Sequence, residues 1–274
     1  MKDKVSFLLP ISNNQRDSYK SINSILSQSY KNFEVLVGLN GNSCDFDEKL
    51  KKTYRSDNRI KIFQISKKSI VTTLNFLIEK SRGVYLARID SDDFCLEDRI
   101  KSQVSYIKKN KIDVVSSNSD VFIKNNFLYT HNTDFSKFVY TNPIIHPSIL
   151  AKKEIFKKFK YEHIPFAEDY ELYLRLFLEG KKFGNIPKKL IRYNLNLKNI
   201  KNKKTSYFVL LSTLVISKGF RNKLKVNPKF FRKIKVDVKY YNSYKKFAKF
   251  VLLNKNNLLK ALFVFYHIIF GHKL

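Results

Sequence analysis

The run Arg88-Ile89-Asp90-Ser91-Asp92-Asp93 sets three carboxylates within four positions, directly after an apolar stretch. Carboxylates gathered so closely repel one another, and a fold that collects them usually supplies a cation. Hard divalent ions such as Mg2+ take carboxylate oxygens together with water and substrate phosphates. Asp90 and Asp92 fall on one side if the strand persists, and Asp93 reaches from the turn. The bland reading of the same residues is an acidic turn ahead of a helix that begins near Asp98. A second acidic pair, Glu168-Asp169, opens the amphipathic run YELYLRLFLEG. Acids are favoured in a first helical turn by the helix dipole, yet a carboxylate so placed is also the group that takes a proton from an attacking hydroxyl. His146, in Asn-Pro-Ile-Ile-His-Pro, is either a turn or core histidine or a contact at the mouth of a site.

Such residues need a scaffold, and the first 110 positions spell one out. Apolar runs at 5–11, 33–39, 60–65 and 84–89 read as strands. Amphipathic stretches at 18–28, 71–81 and 98–110 read as helices, the first with Ile22, Ile25 and Leu26 on one face. This β-α-β-α order predicts an α/β fold, a mostly parallel sheet flanked by helices. Ligands of such sheets gather beyond the carboxyl ends of the strands, so the polar segments 12–14, 40–43 and 90–93 should line one crevice. Further on, residues 114–117, 121–123 and 148–151 suggest strands, 168–178 a helix, and 184–186 and 190–193 closing strands.

The charge is uneven. Lys and Arg number 53 against 23 Asp and Glu, a net of +30. Residues 1–179 hold 29 basic and 22 acidic side chains; residues 180–274 hold 24 basic and a single acid, Asp237. A tail so basic expects a polyanion: a lipid surface, a phosphorylated glycan or a nucleic acid. We divide the chain into a domain at 1–195 and a basic helical extension at 196–274, with helices expected at 206–217, 230–253 and 258–270. No stretch reaches the roughly 18 apolar residues of a membrane span. The segment 258–271 instead suits a helix lying in a membrane interface, and the expected placement is cytoplasmic, peripheral on the inner membrane. The same helices could pack on the domain or pair with a second copy. Cys44 and Cys95 lack metal-ligand spacing and are too few for a disulfide framework, which fits a reduced compartment.

The order of these segments resembles glycosyltransferase family 2, the inverting enzymes of the GT-A fold found in lipopolysaccharide and capsule synthesis. The opening VSFLLPISNNQRDSYKSINSILSQSYKNFEVLVGLNGNSCD is similar to the family's first strand, helix and strand. The middle, NRIKIFQISKKSIVTTLNFLIEKSRGVYLARIDSDDFCLEDRI, resembles its run into the metal motif, and NPIIHPSILAKKEIF with FAEDYELYLRL resembles its acceptor side. The resemblance implies a nucleotide-sugar donor and a glycan acceptor. Pro10 and Ser12 would border the nucleobase, and Asn40 stands where the family carries an acidic base contact. Asp90 and Asp92 match the Asp-x-Asp, with Asp93 beside them, holding Mn2+ or Mg2+ against the diphosphate. Arg88 would support that cluster or the donor. Asp169 matches the general base, with Glu168 its neighbour. Tyr193-Asn194-Leu195-Asn196 stands where the family commonly carries Tyr-Arg-x-His. A sugar nucleotidyltransferase would need a glycine-rich phosphate loop, and the chain has only 7 glycines. A degenerate, inactive family member and a basic nucleic-acid-binding protein are the alternatives; the reading adopted is an enzyme with no nucleic-acid partner.

Overall fold

A computed structural model of the chain describes residues 3–12, 16–136, 142–164 and 167–195. The extension at 196–274 lies outside the described residues, as do Asn13 and Asn14.

Strand β1 (Val5–Ile11) is central, pairing in parallel with β2 (Phe33–Leu39) and β4 (Tyr85–Arg88), while β3 (Ile60–Gln64) extends the sheet beyond β2. Their side chains alternate between two cores. Val5, Phe7, Leu9 and Ile11 of β1 face one cluster with Val35, Val37 and Ala87; Leu8, Leu36 and Leu86 face the other. Because both faces are covered, these strands read as continuous apolar runs. The first cluster is closed by α1 (Ser18–Leu26), α2 (Cys44–Tyr54) and α4 (Arg99–Asn110). The second is closed by α3 (Ile70–Lys80), α5 (Lys153–Phe159) and α6 (Glu168–Leu178). Ser43 and Ser69 cap α2 and α3, accepting from Phe46 N at 3.3 Å and Thr72 N at 3.2 Å. Gly38 is required by close approach: a Cβ there would lie 2.4 Å from Thr73 Cγ2 of α3.

Past β4 the sheet continues through β8 (Leu150–Lys152), β6 (Val114–Ile123), β9 (Phe183–Asn194) and the two-residue β5 (Phe94–Cys95). Strand β7 (Asn126–His131) forms a hairpin with β6, turned by Lys124 and Asn125 with φ of 48° and 69°. β8 runs antiparallel to both β4 and β6, and β9 runs parallel to β6. Six strands (β1, β2, β3, β4, β6 and β9) therefore share one direction, and β5, β7 and β8 oppose it. All six shared-direction strands deliver their carboxyl ends to one edge. The pairs of strands expected at 114–123 and 184–193 are each a single long strand, joined by register shifts between Ser117 and Ser119. Helices α2 and α5 and strands β5 and β7 are additions to the elements read from the sequence.

Candidate active site

β4 ends at Arg88, and the chain turns out of the sheet through Ile89 into the acidic loop. Arg88 is fully buried, 1% exposed, and its guanidinium donates to Asp90 Oδ1 and to the Ile89 carbonyl. It sits beneath the loop. The loop is closed by its own turn and pinned from two sides. Ser21 Oγ of α1 donates to the Asp90 carbonyl at 3.0 Å; Asp93 N donates to the same carbonyl at 3.2 Å; and Asn194, the last residue of β9, donates from its backbone to Asp93 Oδ1 at 2.7 Å and from its side chain to the Asp92 carbonyl. Asp93 is 0% exposed, faces this strand end, and its Oδ2 is buried without a partner. Asp90 and Asp92 remain half-buried at the crevice. Burial, and then the charge of Asp90, push the Asp92 carboxyl up to about 6.

The second acidic pair comes from far along the chain. Glu168 and Asp169 open α6, and Asp169 Oδ1 accepts from Tyr170 N while Oδ2 accepts from Asn142 Nδ2, both at 2.8 Å. Burial raises both carboxyls. Asp169's charge adds to the rise at Glu168, which reaches about 8, whereas the bonds from Tyr170 and Asn142 hold Asp169 to about 6. Asp169, the member held by two hydrogen bonds, is therefore the more readily ionised of the pair. The two acidic groups act on each other: Asp90 raises both Glu168 and Asp169, and Arg88 lowers Glu168. One buried arginine thus pairs with the loop after β4 and offsets charge at the start of α6.

His146 begins a single 3-10 turn, His146–Ser148, and its Nε2 lies 2.8 Å from Tyr161 Oη. Burial, reinforced by Arg88, holds the imidazole well below its usual range, so it is uncharged at neutral pH. Its ring packs against Tyr161 and Tyr173 with centroids 5.5 and 6.2 Å away. Pro10 is half-buried near the end of β1, and Ser12 is exposed just past it. Asn40 is 4% exposed; its Nδ2 faces the Lys67 and Ser69 carbonyls and Thr73 Oγ1 at 2.7–3.1 Å, and its Oδ1 is buried without a partner. It ties the end of β2 to the start of α3, with Gly41 turning the chain at φ 70°.

The sequence profile of Glycosyl transferase family 2 matches residues 6–178, which spans every acidic residue described above. The chain belongs to glycosyltransferase family 2. As a family member it is 28% identical over 216 residues to the O-antigen biosynthesis glycosyltransferase WbnJ of Escherichia coli, covering 75% of this chain and 85% of that protein. Its fold is that of S. aureus TarS 1–349 in complex with UDP-GlcNAc, with a TM-score of 0.63 at 15% identity over 87% of this chain and 78% of that one. The mannosyltransferase PcManGT of Pyrobaculum calidifontis, in complex with GDP-Man and Mn2+, superposes with a TM-score of 0.61 at 11% identity over 97% and 84%. The GT-A reading and the family reading of the sequence both hold.

Four residues that shape this family 2 site were not singled out as site residues in the sequence. Asn142 stands four residues before His146 and grips Asp169. Tyr161 backs the histidine. Asn194, visible only as a departure from the family's Tyr-Arg-x-His, secures the acidic loop. Arg99 is wholly buried, donating to the Arg88 carbonyl at 2.8 Å and the Ile149 carbonyl at 3.0 Å. Among the described residues no helix is long and apolar enough to cross a membrane.

Proposed function

We propose that this glycosyltransferase transfers a hexose or N-acetylhexosamine from a UDP-linked donor to a surface-glycan acceptor, such as a lipopolysaccharide or capsule precursor, with inversion at the anomeric carbon. The observation that carries the reading is the convergence of Asp90 and Asp92 with Glu168 and Asp169 around buried Arg88, at the carboxyl edge of the sheet. The UDP-GlcNAc complex of TarS supports the donor class, and the name of WbnJ supports the acceptor class.

A divalent cation fits this site. Half-buried Asp90 and Asp92 bring negative charge that Arg88 offsets only in part, and one or two carboxylates plus donor phosphates are a usual Mg2+ or Mn2+ donor set. Among the described residues no ready-made group of three ligands is present, so the donor diphosphate would complete the shell. Such an ion supplies charge neutralisation at the departing nucleoside diphosphate. Asp93, turned toward β9, braces the loop. Pro10 and Ser12 border the nucleobase, with Asn40 behind them, and His146 presents a neutral ring on the acceptor side. Asp169 takes the proton of the acceptor hydroxyl as its oxygen attacks the anomeric carbon and the bond to the diphosphate breaks. Attack from the face opposite the leaving group turns an α-linked donor into a β-glycoside.

We assign the catalytic domain to 1–195. The basic extension would dock on the anionic cytoplasmic face of the inner membrane, where a lipid-linked acceptor would sit. The test is hydrolysis and transfer from a panel of nucleotide sugars with Mn2+ present. Asp169→Asn is expected to cut turnover about 10²-fold or more with donor binding retained, while Glu168→Gln stays active. A dead Glu168→Gln beside an active Asp169→Asn would move the base to Glu168.

A further inference from the structure

Of the paired acids at the start of α6, Asp169 alone is held by a side chain from another element among the described residues. Asn142 donates from Nδ2 to Asp169 Oδ2 at 2.8 Å, and its own Oδ1 accepts from Ile144 N at 3.1 Å. A flipped amide would lose both bonds, so the donor is fixed toward the carboxylate. The segment carrying it is fastened independently. The Pro143 carbonyl lies 2.8 Å from His131 Nε2, the Ser148 carbonyl accepts from Gln103 at 2.7 Å, and the Ile149 carbonyl accepts from Arg99 at 3.0 Å. On the other side Asp169 Oδ1 is occupied by the Tyr170 amide. Each carboxylate oxygen thus holds one donor and keeps lone-pair capacity for one more proton.

We propose that Asn142 is the positioning residue of the catalytic carboxylate, fixing the rotation of Asp169 so that its open lone pair faces the acceptor hydroxyl. The proposal rests on Asp169 being the base. The titratable groups around Asp169 are its neighbour Glu168, Asp90, which disfavours its charge, and the hydroxyls of Tyr161, Tyr173 and Tyr193; Arg88 acts on Glu168. Against this mostly acidic and apolar surround, an amide donor stabilises the ionised carboxylate.

Asn142→Asp separates positioning from simple turn-making, because it keeps the acceptor for Ile144 N and puts an oxygen where the donor was. Asn142→Ala loses both contacts. The assay is hydrolysis, with Mn2+, of whichever of UDP-glucose, UDP-galactose, UDP-GlcNAc, UDP-GalNAc and GDP-mannose the parent chain cleaves fastest. Asn142→Asp is expected to lower kcat at pH 7 by about 10-fold or more, with KM within about twofold, and to move the acid limb of the kcat profile upward by about one pH unit. Asn142→Ala should fall between Asn142→Asp and the parent. An Asn142→Asp variant with parental kcat and acid limb, beside a damaged Asn142→Ala, overturns the proposal and leaves Asn142 a turn residue. Asp169→Asn in the same assay separates the two readings: if it is inactive the base stands and only the positioning role is at issue, and if it is fully active both fall.

Discussion

Removing the charge of Arg88 should cost stability through the carboxylates it leaves behind. Its guanidinium is 1% exposed and its partner Asp90 is 30% exposed. Breaking a fully buried ion pair from one side costs about 3–5 kcal/mol. Here water still reaches Asp90, and Arg88 Nε is already buried without a partner, so a cost below that range, about 2–3 kcal/mol, is expected for Arg88→Met. For a chain of this size that corresponds to a fall in Tm of about 5–10 °C. Calorimetry on the full chain is the assay, and a second substitution sharpens it. Asp90→Asn placed on top of Arg88→Met removes the stranded charge and should return about half of the loss, a coupling that only interacting side chains display. A Tm within about 2 °C of the parent for Arg88→Met, or losses that merely add in the double variant, would show that the arginine does not hold the two acidic groups together.

Asp92→Asn should abolish transfer and remove the Mn2+ dependence of UDP binding in calorimetric titration while leaving the melting profile near that of the parent; full activity in excess EDTA would rule the cation out. Turnover should rise with pH as Asp169 ionises near 6 and fall away below it, because only the charged carboxylate accepts a proton; a profile flat from pH 5 to 8 (roughly the span over which such a carboxyl titrates) would contradict the base assignment. Basic residues contribute about 1 kcal/mol each near an anionic leaflet, so the full chain should sediment with anionic vesicles at low salt and be released at high salt, and failure to bind at low salt would give the extension another role.

The sheet's first half was legible because strands covered on both faces leave unbroken apolar runs. Helix α2 carries Phe46, Leu50 and Tyr54 four residues apart and was passed over because polar and charged residues dominate CDFDEKLKKTY. Strand β6 looked like two because Ser116, Ser117, Asn118 and Ser119 interrupt its apolar pattern; they are buried, and Asn118 is satisfied by Asn132, Thr133 and Asn185. Strand β7 was invisible since Phe127, Leu128 and Tyr129 are about half exposed and show no buried alternation. In the site, the carboxylates announced themselves by crowding. Asn142, Arg99 and Asn194 did not, because what each does depends on partners 27, 50 and 101 residues away. Nothing local marks such a residue.

Arg99 gives the molecule a seam. Its one guanidinium grips the backbone of Arg88, which carries the acidic loop, and the backbone of Ile149, at the end of the turn that presents His146. The loop that carries Asp90 and the turn that carries His146 come from halves of the sheet that meet where β4 and β8 run in opposite directions. A joint locked by a buried cation on two carbonyls has little freedom to hinge. On the mechanism proposed above, both walls would stand in register before substrate arrives, and the entropy of aligning them would be settled during folding instead of being drawn from substrate binding.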